Sequence, residues 1–167
     1  MVLAPTDRSA MYKELIEDRI GKRRISTGVE RDATLGMLNA ALKTYPLIVL
    51  ANLSANSYVI VRNDDFLDAD FPESGKFDDM IDNGLDYVHD HYQRVFFGCF
   101  NRENLLERYE RGQEEVYAEV YHRVRDGSYR WISITAIRLN DDDNDDIMHV
   151  CFCRELPEQT ERPFGRK

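Results

Sequence analysis

The chain has 167 residues, 43% of them hydrophobic and 32% charged, so it can bury the core of one soluble domain, and disorder is excluded as a description of the whole. Its 31 acidic residues against 22 basic ones leave a formal charge of -9, which opposes a polyanionic partner and excludes nucleic acid as the expected ligand. The three cysteines, Cys99, Cys151 and Cys153, cannot all pair within the chain, no secretory leader pattern follows Met1, and no apolar run reaches the ~20 residues of a membrane-spanning helix. The expectation is a chain without a membrane span, in a reducing cytoplasm.

Tyr12, Leu15, Ile16 and Ile20 recur at helical spacing up to Gly21. The basic run Lys22-Arg23-Arg24 then reads as a solvated turn rather than a docking patch. Leu35, Leu38, Leu42 and Tyr45 form a second helical stripe, stopped by Pro46. Residues 1–45 are thus expected to form an N-terminal helical arm, residues 46–156 the main domain, and residues 157–167 a tail or linker.

From Leu47 the pattern becomes extended. "LIVLANL" reads as a buried strand, "SANS" as a turn and "YVIVRN" as a second strand. "DDFLDADFPESG" follows as a loop with Phe66, Leu67 and Phe71 as apolar anchors. Phe77, Met80, Ile81, Leu85 and Val88 predict a helix. A second is expected to start at Asp90, with Gln93 completing a capping box, and a third at Asn101, closing at Gly112.

Three strand candidates end the domain: "EEVYAEVYHRV", "YRWISITAIRL" and "IMHVCFCREL". The first two are joined at Asp126-Gly127, a strong hairpin signal, and the last two by the polar loop "NDDDNDD". The sequence therefore predicts an α+β domain with a five-stranded antiparallel sheet. Alternation sends Ile132, Ile134 and Ala136 to one face of the hairpin, the better core, and Trp131, Ser133, Thr135 and Ile137 to the other.

Residues that could carry chemistry are sparse. His89-Asp90-His91 lacks partners at zinc-like spacing and reads as a helix start. The run from Asp141 to Asp146 begins like a calcium loop, but Asp146 and Phe152 stand where an EF-hand needs glycine and glutamate. Cys151-x-Cys153 puts two thiols on one strand face with His149; core packing is the favoured reading, with the face as a candidate cavity wall. No phosphate loop, nucleophile elbow or zinc-protease motif is present, and the chain is not expected to be an enzyme.

From about Tyr45 to Glu155 the succession "LIVLANLSANSYVIVRN", "VHDHYQRVFFGCF", "NRENLLERYERG", "RVRDGSYRWISITAIRL" and "MHVCFCREL" resembles a PAS domain, the sensory module of bacterial signalling proteins, of the kind found before diguanylate cyclase modules. The resemblance implies a sheet with helices closing over one face, a cavity between them, and an attached effector, possibly a diguanylate cyclase, that is not part of this chain; "PEQTERPFGRK" stops where a linker to it would begin. Cys99 does not lie in the motif with which flavin-binding members form their photoadduct, and no axial haem histidine is apparent, so no cofactor is specified.

Two functional classes follow. One is a sensor binding a small-molecule ligand against walls made by Val120, His122, Ile134, Cys151 and Cys153, where small side chains leave room. The other is a ligand-free interaction module, a homodimer formed through Leu35, Leu38, Leu42 and Trp131 on the outer sheet face and arm. A small α+β barrel enzyme would have only His122 and His149 on strands to work with.

Overall fold

The computed structural model describes residues 42–140, 143 and 145–157, together with residues 33, 36, 37 and 40. The helical stripe of Tyr12, Leu15, Ile16 and Ile20, the run Lys22-Arg23-Arg24, Leu35, Leu38, and residues 158–167 lie outside the described residues. Residues 42–44 are helical and end at Tyr45-Pro46, as expected where proline forces the preceding residue out of the α region.

Strand β1 (Leu47–Asn52) and β2 (Ser57–Asn63) form the first hairpin, turning at Asn56 with its φ of +51°, a left-handed position that asparagine tolerates. A bulge between Ile48 and Val49 places Ile60 opposite Val49. The following loop is anchored as predicted, with Phe66, Leu67 and Phe71 buried. It ends in a two-residue strand, β3 (Ser74–Gly75), on the edge of β2. That sixth strand adds to the five expected; two residues are too short to show a period.

Helices α1 (Phe77–Leu85), α2 (Gln93–Phe100) and α3 (Arg102–Glu110) come next. Asn101 caps α3 by accepting a hydrogen bond from the Asn104 N–H at 3.0 Å, and Gly112, with φ of +92°, closes it. The start of α2 differs from the expected capping box. A 3-10 turn at Asp90–Tyr92 precedes it, His89 Nδ1 accepts from the His91 N–H, and Gln93 donates to the carbonyls of Leu85 and Val88. Val88 is not helical either. It forms a bridge to His122, and this segment occupies the edge of β4, which shields an otherwise unpaired strand.

Strands β4 (Glu115–Arg123), β5 (Tyr129–Leu139) and β6 (Met148–Glu155) form the predicted meander, and Gly127 at φ of +88° makes its first turn. The sheet order is β3-β2-β1-β6-β5-β4, antiparallel throughout, so the last strand lies between β1 and β5 at the centre.

Each sheet face has its own apolar cluster. The inner one joins Val49, Ala51, Val116, Val120, Ile132, Ile134 and Ala136 to Phe77, Ile81, Phe96, Phe100, Leu105 and Tyr109 from the helices. The outer one joins Ile48, Leu50, Val59 and Val150 to Leu42, with the Tyr45 ring tilted against that of Phe152, centroids 5.1 Å apart. The predicted split of the hairpin holds for Ile132, Ile134 and Ala136, which all face the core; Ser133 is buried as well.

Candidate functional site

Period-2 alternation puts Val120 and His122 of β4, Ile134 of β5 and Cys151 and Cys153 of β6 on the inner face, all packed in or against the same cluster except His122. Register brings three of the five together at the sheet centre. Ile134 pairs with Cys153, and Cys151 lies between Ala136 and Val49. Val120 is opposite Ile132, one pair along. His122 is remote, four residues along β4 from Ala118, the partner of Ile134. The predicted wall is thus two neighbourhoods, each centred on a buried histidine.

At the centre, His149 is fully buried on β6. The Tyr109 hydroxyl of α3 lies 3.0 Å from its Nδ1, and the Phe77 ring meets it edge-on with centroids 5.5 Å apart. Burial pushes the imidazole down to about 3 and raises the Tyr109 phenol well above its ordinary value, so both are neutral. Nδ1 is thus engaged by the phenol, while Nε2 is a buried atom that has no hydrogen-bond partner. The Cys153 thiol is raised by its hydrogen bond to Cys151 and by burial. Among the described residues no group of three His, Cys, Asp or Glu side chains converges as a metal site.

The second neighbourhood lies by the hairpin. His122 sits between Phe66, at 4.9 Å, and Tyr87, at 5.7 Å, and its Nδ1 is buried without a partner. Burial pushes this imidazole down to about 4. Above it the Tyr87 hydroxyl donates to Asp68 at 2.8 Å, while the Arg123 guanidinium lies over the Tyr87 ring at 4.4 Å and 3.4 Å from the same carboxylate. These contacts fasten the loop after β2 over His122. They also hold the Asp68 carboxyl below its usual range, the Tyr87 hydrogen bond first and Arg123 next.

A solvent-open groove of about 470 Å³ runs beside the hairpin, with Pro46, Phe66 and Ile132 as its apolar walls. Its two guanidiniums are held in ion pairs, Arg125 with Asp65 at 2.8 Å and Arg130 with Glu155 at 2.9 Å. The groove is therefore a poor anion receptor.

On the outer face Leu42 is buried against β1, β2 and β6, whereas Trp131, expected on that face, is half-buried between Tyr92, at 5.2 Å, and Tyr121, at 5.5 Å, and packs against the inner cluster. The described end of the arm thus packs on β1, β2 and β6, not on β5 where Trp131 was expected to receive it. Tyr117, Tyr129 and Ile137 of the β4–β5 hairpin remain exposed.

Sequence reasoning had placed His149 on the face of the two cysteines but had no means to pair it with Tyr109, 40 residues away. Replacing Tyr109 with Phe keeps the ring and strands Nδ1. The expected loss is about 1–3 kcal/mol in urea denaturation at pH 7, with an unaltered far-ultraviolet spectrum. An unchanged midpoint would mean that the hydroxyl contributes nothing to the core.

No family model matches the chain, and no curated relative matches it. Similar solved structures include a sensory box histidine kinase/response regulator from Burkholderia thailandensis E264, with a TM-score of 0.47 at 12% identity over 72% of this chain and 83% of that one. Another is the N-terminal domain of a diguanylate cyclase with PAS/PAC sensor from Marinobacter aquaeolei, with a TM-score of 0.41 at 14% identity over 65% and 93%. A PAS domain from Colwellia psychrerythraea gives 0.39 at 13% identity over 72% and 97%. Among the described residues β1 and β6 are adjacent at the sheet centre and α1, α2 and α3 are inserted between the first hairpin and the meander, an α+β fold of the kind that the PAS-like reading of the sequence expects.

Proposed function

We propose that this is a sensory or regulatory domain of a bacterial signalling protein, which binds a small uncharged ligand against the inner face of its sheet and controls an attached effector, possibly a diguanylate cyclase. The observation that carries the reading is the pair of buried, neutral histidines, each with an unpartnered ring nitrogen, on a face otherwise made of apolar side chains. A buried polar atom without a partner costs about 1–3 kcal/mol. A ligand polar group, or an ordered water that a ligand displaces, would offset that cost. The region binding it is 46–156, without catalytic residues of its own and in the cytoplasm. No helix among the described residues is long and apolar enough to cross a membrane.

The test is a fragment screen by thermal shift on the intact chain, repeated on Cys151→Phe. The larger side chain fills the half-buried position between Val49 and Ala136, and binding of any hit should fall at least tenfold while the fold is retained. Unchanged affinity in a folded variant would place the site elsewhere.

A second reading, a ligand-free homodimer, is favoured by the exposed Tyr117, Tyr129 and Ile137 of the β4–β5 hairpin. Light scattering of the intact chain separates the two. A dimer weakened by Leu38→Asp supports the interaction module, and a monomer at high concentration removes it.

A further inference from the structure

Cys151 and Cys153 are two positions apart on β6, a central strand, and therefore point to the same face. Their Cβ atoms are separated by two strand rises, about 6.6 Å. That is too far for a disulfide, which needs about 3.5–4.5 Å between Cβ atoms. It suits a bridging atom. Two metal–thiolate bonds of about 2.3 Å laid end to end span about 4.6 Å, a separation the sulfurs reach by leaning together.

We infer that Cys151 and Cys153 form a two-coordinate site for a soft monovalent cation, Cu(I) or its surrogate Ag(I). Zinc is disfavoured here because it takes four ligands, and no third His, Cys, Asp or Glu converges with the pair among the described residues. Ions with a filled d shell and a preference for thiolate accept two sulfurs in a line. Cys151 is only partly buried and provides the approach, while Cys153 is buried and anchors the far side. Ala136 lies opposite Cys151 on β5 and presents only a methyl group beside the bridging position.

The step balances as one cation and two neutral thiols giving one bis-thiolate complex of charge -1 and two released protons, with no change in oxidation state. Affinity therefore rises with pH, by up to a hundredfold per pH unit while both thiols are protonated.

The probe is Ag(I), and Cu(I) under a chelator of known affinity, added to the reduced, intact chain. The expected result is one tightly held ion per chain in native mass spectrometry, two protons released per ion, and two sulfur neighbours in X-ray absorption. Cys99→Ser should bind as tightly as the parent. Cys151→Ser and Cys153→Ser should each bind at least a hundredfold more weakly, and Cys153→Ala serves in place of the serine variant if a buried hydroxyl prevents folding. Retention of the ion in a folded Cys151 or Cys153 variant, or its loss in Cys99→Ser, would overturn the site. Ion binding is independent of the sensory reading, since Cys151→Ser removes the thiolate but leaves the volume that Cys151→Phe fills.

Discussion

Between pH 7 and pH 4 the folded chain should lose several kcal/mol of stability without any change in its ion pairs. His122 and His149 are held at about 4 and about 3 in the fold against about 6.5 in an unfolded chain. Below 6.5 the unfolded state binds protons that the native state refuses, so stability falls as pH drops from 6.5 toward the folded values and is at its full value above 6.5. Each group contributes on the order of 3–5 kcal/mol over its whole window. The groups facing the two rings are Tyr109 and Phe77 around His149, and Phe66, Tyr87 and the Arg123 charge around His122, where burial outweighs a hydrogen bond with the Arg123 backbone that favours the imidazolium. The Asp68 carboxylate, held below its usual range, contributes only at still lower pH. Urea midpoints at pH 7, 6, 5 and 4 should decline progressively, and His122→Leu should flatten part of the decline. A midpoint independent of pH across that range would mean that the rings are hydrated.

Removing the arm should be equally damaging. Ile48, Leu50, Val59 and Val150 are buried on the outer face with Leu42 among them. Full burial of one such side chain is worth ~1.5–3 kcal/mol. Leu42→Asp should therefore cost about 3 kcal/mol or more, and a chain beginning at Pro46 should aggregate or lose its cooperative transition, because the face it exposes is contiguous. Thermal denaturation with light scattering checks both. A truncated chain that is monomeric and melts where the parent does would show that the sheet has no need of the arm.

Much of this architecture was legible because it is periodic. The strands around Leu47, Tyr58, Val116, Ile132 and Val150 alternate or run apolar, Asp126-Gly127 marks a turn, and Asn101 is a cap in the plainest chemical sense. What could not be read depends on distance along the chain. Tyr109 and His149 meet only because α3 packs under β6, and Asp68 meets Arg123 only because the loop folds back over β4. Alternation puts His122 on the inner face, yet it carries no information on register between strands, and so it groups His122 with cysteines of the central strand β6, two strands away and level with Ala118. The same limit applied to Trp131. Alternation sets it opposite Ile132, but Trp131 packs against the inner cluster, beside its hairpin partner Tyr121 and against Tyr92 of the segment before α2, whose course no local pattern encodes.

The central claim is that the inner face around His149 receives a polar group from outside the chain. It is tested most directly by imidazole nitrogen NMR on the intact protein at pH 7, with and without a fragment taken from the screen. The expected result is a neutral ring, and a shift of its Nε2 resonance on binding that is lost in Cys151→Phe. A fragment that perturbs only residues of the open groove, such as Arg125 and Arg130, while His149 stays unmoved, would contradict it.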